Sequence, residues 1–284
     1  MAVRDRFGLG WRAKLALGIL SNLDRIDIVE VIADDYFRAS HRERRALRTL
    51  AAQTPVTLHG VSLGMASSVP VDTKRLDQIA RLCDEVEPVS WSEHLAFVRG
   101  GGIEIGHLAA PPRSAATVSG AIANLRRARE IVGVSPQMEN VATLIDPPGS
   151  DRDEATWVSQ IIRDSESDLL LDLHNLHANS VNFNFDPIDY ISHIPPEQIS
   201  AIHLAGGKWI GRPNARRLLD DHLHDVPGPV YQLLEEVGAR ATRPLTVILE
   251  RDGNFPPVEW LLDQLDLARR AVARGRARRS AAAA

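Results

Sequence analysis

Cysteine is nearly absent. Cys83 stands alone among 284 residues, so no internal disulfide framework can form and a reducing compartment suits the chain. Long apolar runs are missing too: nowhere do about 18 consecutive apolar residues occur, and residues 1–11 lack the apolar core of a secretory signal. Membrane spanning and standard secretion are therefore not expected, and a cytoplasmic location is. There is no basic surplus either, the formal charge being −4. A protein that neutralises phosphates usually carries one, so nucleic acid is not an expected partner. The chain also has no Gly-x-Ser-x-Gly elbow, Walker loop or dinucleotide fingerprint, which leaves little support for nucleophilic hydrolysis through a side chain.

What is present is a repeated design. Leu169-Leu170-Leu171-Asp172-Leu173-His174-Asn175 reads as a strand buried on both faces that closes on polar residues, the pattern of a parallel sheet. Alternation along that strand predicts that Asp172 and His174 share one face at its C-terminal end. Similar endings recur at Val56 to His59, Val89 to His94, Gln137 to Asn140, Ile199 to His203 and Val247 to Glu250. With 44 % hydrophobic and 25 % charged residues, the composition is that of a globular protein.

Read in order, the chain predicts strands at Phe7 to Trp11, Asp27 to Ile32, Pro55 to Gly60, Pro88 to Phe97, Ser135 to Val141, Leu169 to Asn175, Ile199 to Leu204 and Leu245 to Glu250. Helical patterns separate them, several opened by a capping residue such as Ser40, Asp72 or Ser114. Gly100-Gly101-Gly102 predicts a turn before a small arm over Ile103 to His107; Asn179 to Asn184 reads as a loop and Lys208 to Pro229 as a long connection. Eight such units predict a single-domain (β/α)8 TIM barrel over residues 1–273, a fold that typically needs about 250 residues. Residues 274–284, basic and then alanine-rich, read as a disordered tail.

In such a barrel the strand C-terminal ends share one rim. That rim would carry His59, His94, Glu139, Asp172, His174, His203 and Glu250, with Asp220 and His222 delivered by the connection after the seventh strand. Imidazoles and carboxylates without thiolates favour iron, manganese or zinc. The set exceeds what one ion can use, so a carboxylate-bridged cluster of about two or three ions follows. The bland alternative for Glu139 or Glu250 is a buried ion pair with an arginine such as Arg251. His41, His107 and His193 are expected to be inert in helices or loops, His224 to be solvated, Asp34 and Asp35 to cap a helix, and Cys83 to belong to the core. The coincidence of so many metal-capable groups is what the bland reading does not explain, since burying them together without a cation is very costly.

At these residues the chain resembles the multinuclear non-haem iron-dependent oxidative enzymes, the barrel family that includes the methanobactin biosynthesis oxidase. The likeness spans about Phe7 to Pro257 and rests on Gly8-Leu9-Gly10-Trp11, His59-Gly60-Val61-Ser62-Leu63, Ser92-Glu93-His94-Leu95, Glu139-Asn140, Leu171-Asp172-Leu173-His174-Asn175, Ile202-His203-Leu204-Ala205-Gly206, Asp220-Asp221-His222 and Leu249-Glu250-Arg251-Asp252. The resemblance implies that His59, His94 and Glu139 hold one iron, and that Asp172, His203, Asp220, His222 and Glu250 complete further sites, with Asn140 and Asn175 behind them. It also implies a mixed Fe(II)/Fe(III) cluster, dioxygen as co-substrate, a ribosomally made precursor peptide oxidised at Cys or at Asp/Asn, and a small partner protein that presents the peptide's leader. A divalent-metal barrel isomerase or phosphodiesterase, and a non-enzymatic metal-binding barrel, are the competing readings.

Overall fold

In the computed structural model, which describes residues 4–282, short buried aliphatic runs alternate with helices whose starts are fixed by polar side chains. β1 (Arg6–Gly10) leads through a 3-10 turn into α1 (Ala16–Leu20). β2 (Ile28–Ile32) precedes α2 (His41–Ala51), where Ser40 and Glu43 each accept from the other's backbone N–H. That exchange satisfies two donors that a helix start leaves open. β3 (Val56–His59) leads to α3 (Thr73–Val86), opened by Asp72 accepting from the Lys74 N–H. β4 (Trp91–His94) runs into an antiparallel arm, β5 (Phe97–Gly100) with β6 (Ile103–Ala109), and then α4 (Ala115–Val132). β7 (Gln137–Glu139), α5 (Glu154–Ser165), β8 (Leu169–Asp172), α6 (Leu173–Phe183) and α7 (Pro187–His193) follow. β9 (Ile199–Leu204) passes into a second antiparallel arm, β10 (Gly207–Ile210) with β11 (Arg217–Asp220). α8 (Gly228–Arg240), β12 (Thr246–Leu249) and α9 (Val258–Ala282) complete the chain.

The parallel strands close in the order β1, β12, β9, β8, β7, β4, β3, β2, the eight-stranded α/β barrel that the sequence predicts. Contacts divide the chain into two compact units, residues 28–141 with 147–170, and residues up to 27 with 142–146 and 171 onward. Within the unit that starts at residue 28, Val31 lies level with Leu58 and His94 with Glu139. The aliphatic members of its strands, among them Ile28, Val29, Leu58 and Leu169, are buried. Within the other unit, Ile248 lies level with both Gly8 and His203, and Leu249 with both Leu9 and Leu204. His203 and Glu250 thus close two neighbouring strands.

Three expectations are corrected. The sixth strand stops at Asp172, and residues 173–183 form α6 in place of a strand end and a loop. The Asp172 carboxylate accepts from the Asn175 N–H at 2.6 Å, so a residue read as strand is a helix N-cap. The connection after the seventh strand holds the β10–β11 arm, hidden by its charge and its Gly-Arg-Pro turn. The basic tail is helical to Ala282: Arg274 pairs with Glu235, Arg276 with Asp5, and Arg278 with Glu236. α9 also lies close against α8. A Cβ at Gly275 would sit 2.7 Å from the Ala239 nitrogen and 2.8 Å from the Gly238 carbonyl carbon, so the crossing requires glycine there.

Candidate metal centre

In the unit that starts at residue 28, β3, β4 and β7 each end on a group able to bind a cation. His59, His94 and Glu139 offer ligand atoms that all lie within 4.8 Å of one another. His94 Nε2 is 3.3 Å and His59 Nε2 3.5 Å from Glu139 Oε2. The two rings meet edge to face, with centroids 4.7 Å apart. Each imidazole is oriented through its other nitrogen. His94 Nδ1 lies 3.1 Å from the Gly60 carbonyl, which can only accept, so this nitrogen carries the proton and Nε2 keeps its lone pair. His59 Nδ1 lies 2.8 Å from Ser92 Oγ, and that hydroxyl donates to the Leu58 carbonyl at 3.4 Å. The same tautomer follows for His59. Glu93, fully buried, accepts from the backbone N–H groups of Leu63 and His94, fixing the loop after β3.

In the other unit, Asp172, His203 and Glu250 likewise bring ligand atoms within 4.8 Å of one another. His203 Nδ1 is 3.0 Å from Glu250 Oε2, and His222 Nδ1 is 3.6 Å from the same oxygen. From there a polar chain runs outward. His222 Nε2 lies 2.8 Å from Asp220 Oδ2, His222 Nδ1 lies 3.1 Å from Asp252 Oδ2, and Asp252 pairs with Arg12. Burial opposes a charge on His222, yet Glu250, Asp220 and Asp252 hold its pKa well above the ordinary imidazole value. Burial likewise works to raise the Asp220 carboxyl, but hydrogen bonds from His174 and His222 keep it below the usual range. His222 itself has φ of 54°, a left-handed backbone held by its N–H on the Gly206 carbonyl and its C=O under the Asp252 N–H. Such conformations persist where the surroundings over-determine them.

Of the nine candidates, His59, His94 and Glu139 form one group and Asp172, His203 and Glu250 another, while His222 joins Asp220 to Glu250. His174 does not share a strand face with Asp172. It lies in the first turn of α6, fully buried, with Nδ1 2.6 Å from Asp220 Oδ1; it holds a neighbour of the second group. Asn140 is buried beside Glu139 in sequence, and the Asn175 backbone N–H donates to the Asp172 carboxylate. His41, His107, His193 and His224 are exposed, although His107 lies in a strand of the first arm and not in a helix or loop. Arg251 pairs with Asp225 at 3.2 Å, and the arginine beside Glu250 is instead Arg12, whose Nη2 lies 3.9 Å from Glu250 Oε1. Two carboxylates escaped the sequence reading. Glu30, in β2, places an oxygen within 4.8 Å of a His59 nitrogen, and a charge in the middle of a doubly buried strand was its signal. Asp252, three residues beyond the end of β12, figures there only as the last residue of the Leu249-Glu250-Arg251-Asp252 motif, without a role.

A closed parallel barrel with buried imidazole and carboxylate groups gathered at its strand ends defines a class of enzyme scaffolds whose chemistry sits at that rim. Residues 6–273 match the family described as RiPP precursor modification enzyme MbnB/TglH/ChrH, and the chain belongs to that family. Members of that family are described as enzymes that modify the precursors of RiPPs. A UPF0276 protein of Streptomyces avermitilis is 34 % identical over 272 residues, covering 93 % of this chain and 54 % of the relative; this chain thus spans about half of that protein. A UPF0276 protein of Rhizorhabdus wittichii is 32 % identical over 271 residues, covering 94 % of each. Among solved structures, an L-ribulose 3-epimerase superposes with a TM-score of 0.60 at 14 % identity, covering 99 % of this chain and 98 % of that one, a likeness of fold alone.

Proposed function

We propose that this chain is a multinuclear iron, O2-dependent oxidase that modifies a ribosomally made peptide at a Cys or an Asp/Asn residue. The observation that carries the reading is the pair of buried groups, His59/His94/Glu139 and Asp172/His203/Glu250. Their donor set suits iron: imidazole nitrogens and carboxylate oxygens, no thiolate. Iron bound there would supply electron transfer with dioxygen and would acidify a substrate thiol or carboxylate.

The chain's own residues prepare the site. Gly60 and Ser92 fix the tautomers of His94 and His59, so both Nε2 atoms face Glu139 as lone pairs. Glu93 ties down the loop beside them. His222 and Asp220 keep a proton shared at the edge of the second group, and His174 and Arg12 hold Asp220 and Asp252 in place. Asp220, His222 and Glu250 would hold any third ion beside the second group, so the proposed total is two or three.

The test is metal analysis after anaerobic purification, followed by oxygen uptake with the cognate peptide. Two or three irons per chain and peptide-dependent oxygen consumption support the oxidase. Zinc or manganese with turnover in the absence of oxygen would favour the isomerase or phosphodiesterase reading. Glu139→Ala and His203→Ala should each lose metal and activity while the barrel stays folded, whereas His193→Ala, exposed and with Nδ1 on the Asp189 carbonyl of its own helix, should change neither.

A further inference from the structure

The β10–β11 arm carries features that the metal centre does not use. Its segment from Gly207 to Arg217 contains Lys208, Arg212, Arg216 and Arg217 and no acidic residue, in a chain whose net charge is −4. Arg212 and Arg216 are exposed and enter no ion pair among the described residues. Between the cations stands Trp209, its side chain largely in water with 53 % exposure. A protective sheet edge shows charge without a large apolar group at its centre; this edge shows both.

The backbone explains which edge is open. Leu218 lies opposite Trp209 in the ladder. Its N–H donates to Asn182 Oδ1 at 2.8 Å and its C=O accepts from Asn182 Nδ2 at 2.9 Å, so both groups point away from β10 and are covered by α6. In an antiparallel pair, directly opposed residues either exchange both bonds or turn both pairs outward. The N–H and C=O of Trp209 therefore point away from β11, along the outer edge of β10. At its base the arm joins the site directly, because Asp220 ends β11 and bonds His174 and His222.

We infer that the outer edge of β10 is a docking strand for an extended, acidic segment of the peptide substrate. The segment would add as a strand through the Trp209 N–H and C=O, lay a side chain on the indole, and place its carboxylates against Arg212 and Arg216. The inference rests on the reading of the substrate as a peptide, and it deepens that reading by naming the chemistry of the docked segment.

The test uses the full-length, metal-loaded protein and fluorescein-labelled synthetic peptides, one alternating Glu and Val and one alternating Lys and Val, followed by fluorescence anisotropy. The Glu/Val peptide should bind, more weakly as salt is raised, and the Lys/Val peptide should not. Arg212→Glu/Arg216→Glu should weaken binding by about tenfold or more. Trp209→Pro, which removes an outward N–H but no ladder bond, should do the same; proline is tolerated at such edge positions. Metal content should stay at the wild-type level in both variants. Equal binding of the two peptides, or unchanged affinity in both variants, would overturn the docking strand. So would a dimer in sedimentation that Trp209→Pro dissolves, since a second copy would then be the occupant. A protein that binds the Glu/Val peptide but holds no iron would sink the oxidase proposal and leave the arm standing.

Discussion

His222 shows how much of this site is set by neighbours. Glu250, Asp220 and Asp252 around it favour the charged imidazole and hold its pKa well above the ordinary value. The sign is fixed: an ion taken by His222 must displace that proton, so apparent affinity should rise with pH until the raised pKa is passed. Competition with a chromophoric chelator at several pH values would show that slope, and His222→Gln should flatten it. Asp172 has two duties that substitution can separate. Asp172→Asn keeps a good N-cap for α6 and removes the charge, whereas Asp172→Ala removes both and should cost about 1 kcal/mol more in chemical denaturation. Both should lose metal. At Cys83, burial with the added charge of Asp84 pushes the thiol up to about 11. Only the thiolate alkylates, so iodoacetamide should label the folded protein slowly at neutral pH and at the ordinary rate once it is unfolded.

Elements were legible where local chemistry and burial agree. Ser40 with Glu43, Asp72 and Ser114 announce helices that form where they should, and every barrel strand lies close to its predicted place. α6 was missed because its start, Asp172, follows three leucines, and because Asn179 and Asn182 look like loop residues. Both asparagines are buried and bonded across the fold, Asn179 to the Thr143 N–H and Asn182 to Leu218, partners that no local pattern reveals. The same pairing makes β11 a strand. Asn182→Ala should cost about 1–3 kcal/mol, since it leaves two backbone groups of Leu218 unsatisfied. α9 was cut short because its basic C-terminal half looks low in complexity, whereas the acids that pair with it lie on α8 and at Asp5. Gly275→Leu should destabilise by about 1–3 kcal/mol through overpacking against α8, with a lowered melting temperature as the readout; a frayed tail would tolerate it.

At the scale of the whole molecule, strand endings were readable because parallel barrels carry their polar groups there. His59, His94 and Glu139 end strands of one unit, and Asp172, His203 and Glu250 lie at the ends of strands in the other. His174 does not, because its strand had already ended. If the proposed ions bind the folded chain far better than the unfolded one, their free energy adds to stability: about 4 kcal/mol when free metal is a thousandfold above its dissociation constant. Chelation should then lower the melting temperature by about 2–4 °C for each kcal/mol lost, and restoring iron should reverse it.

One carboxylate ties these scales together. Asp172 closes a barrel strand, starts α6 through the Asn175 N–H, and α6 in turn grips the basic arm through Asn182. Whatever tugs on that carboxylate is transmitted down a stiff rod to the amide of Leu218. Deuterium uptake at that single position should therefore act as a remote gauge of what the strand end is holding.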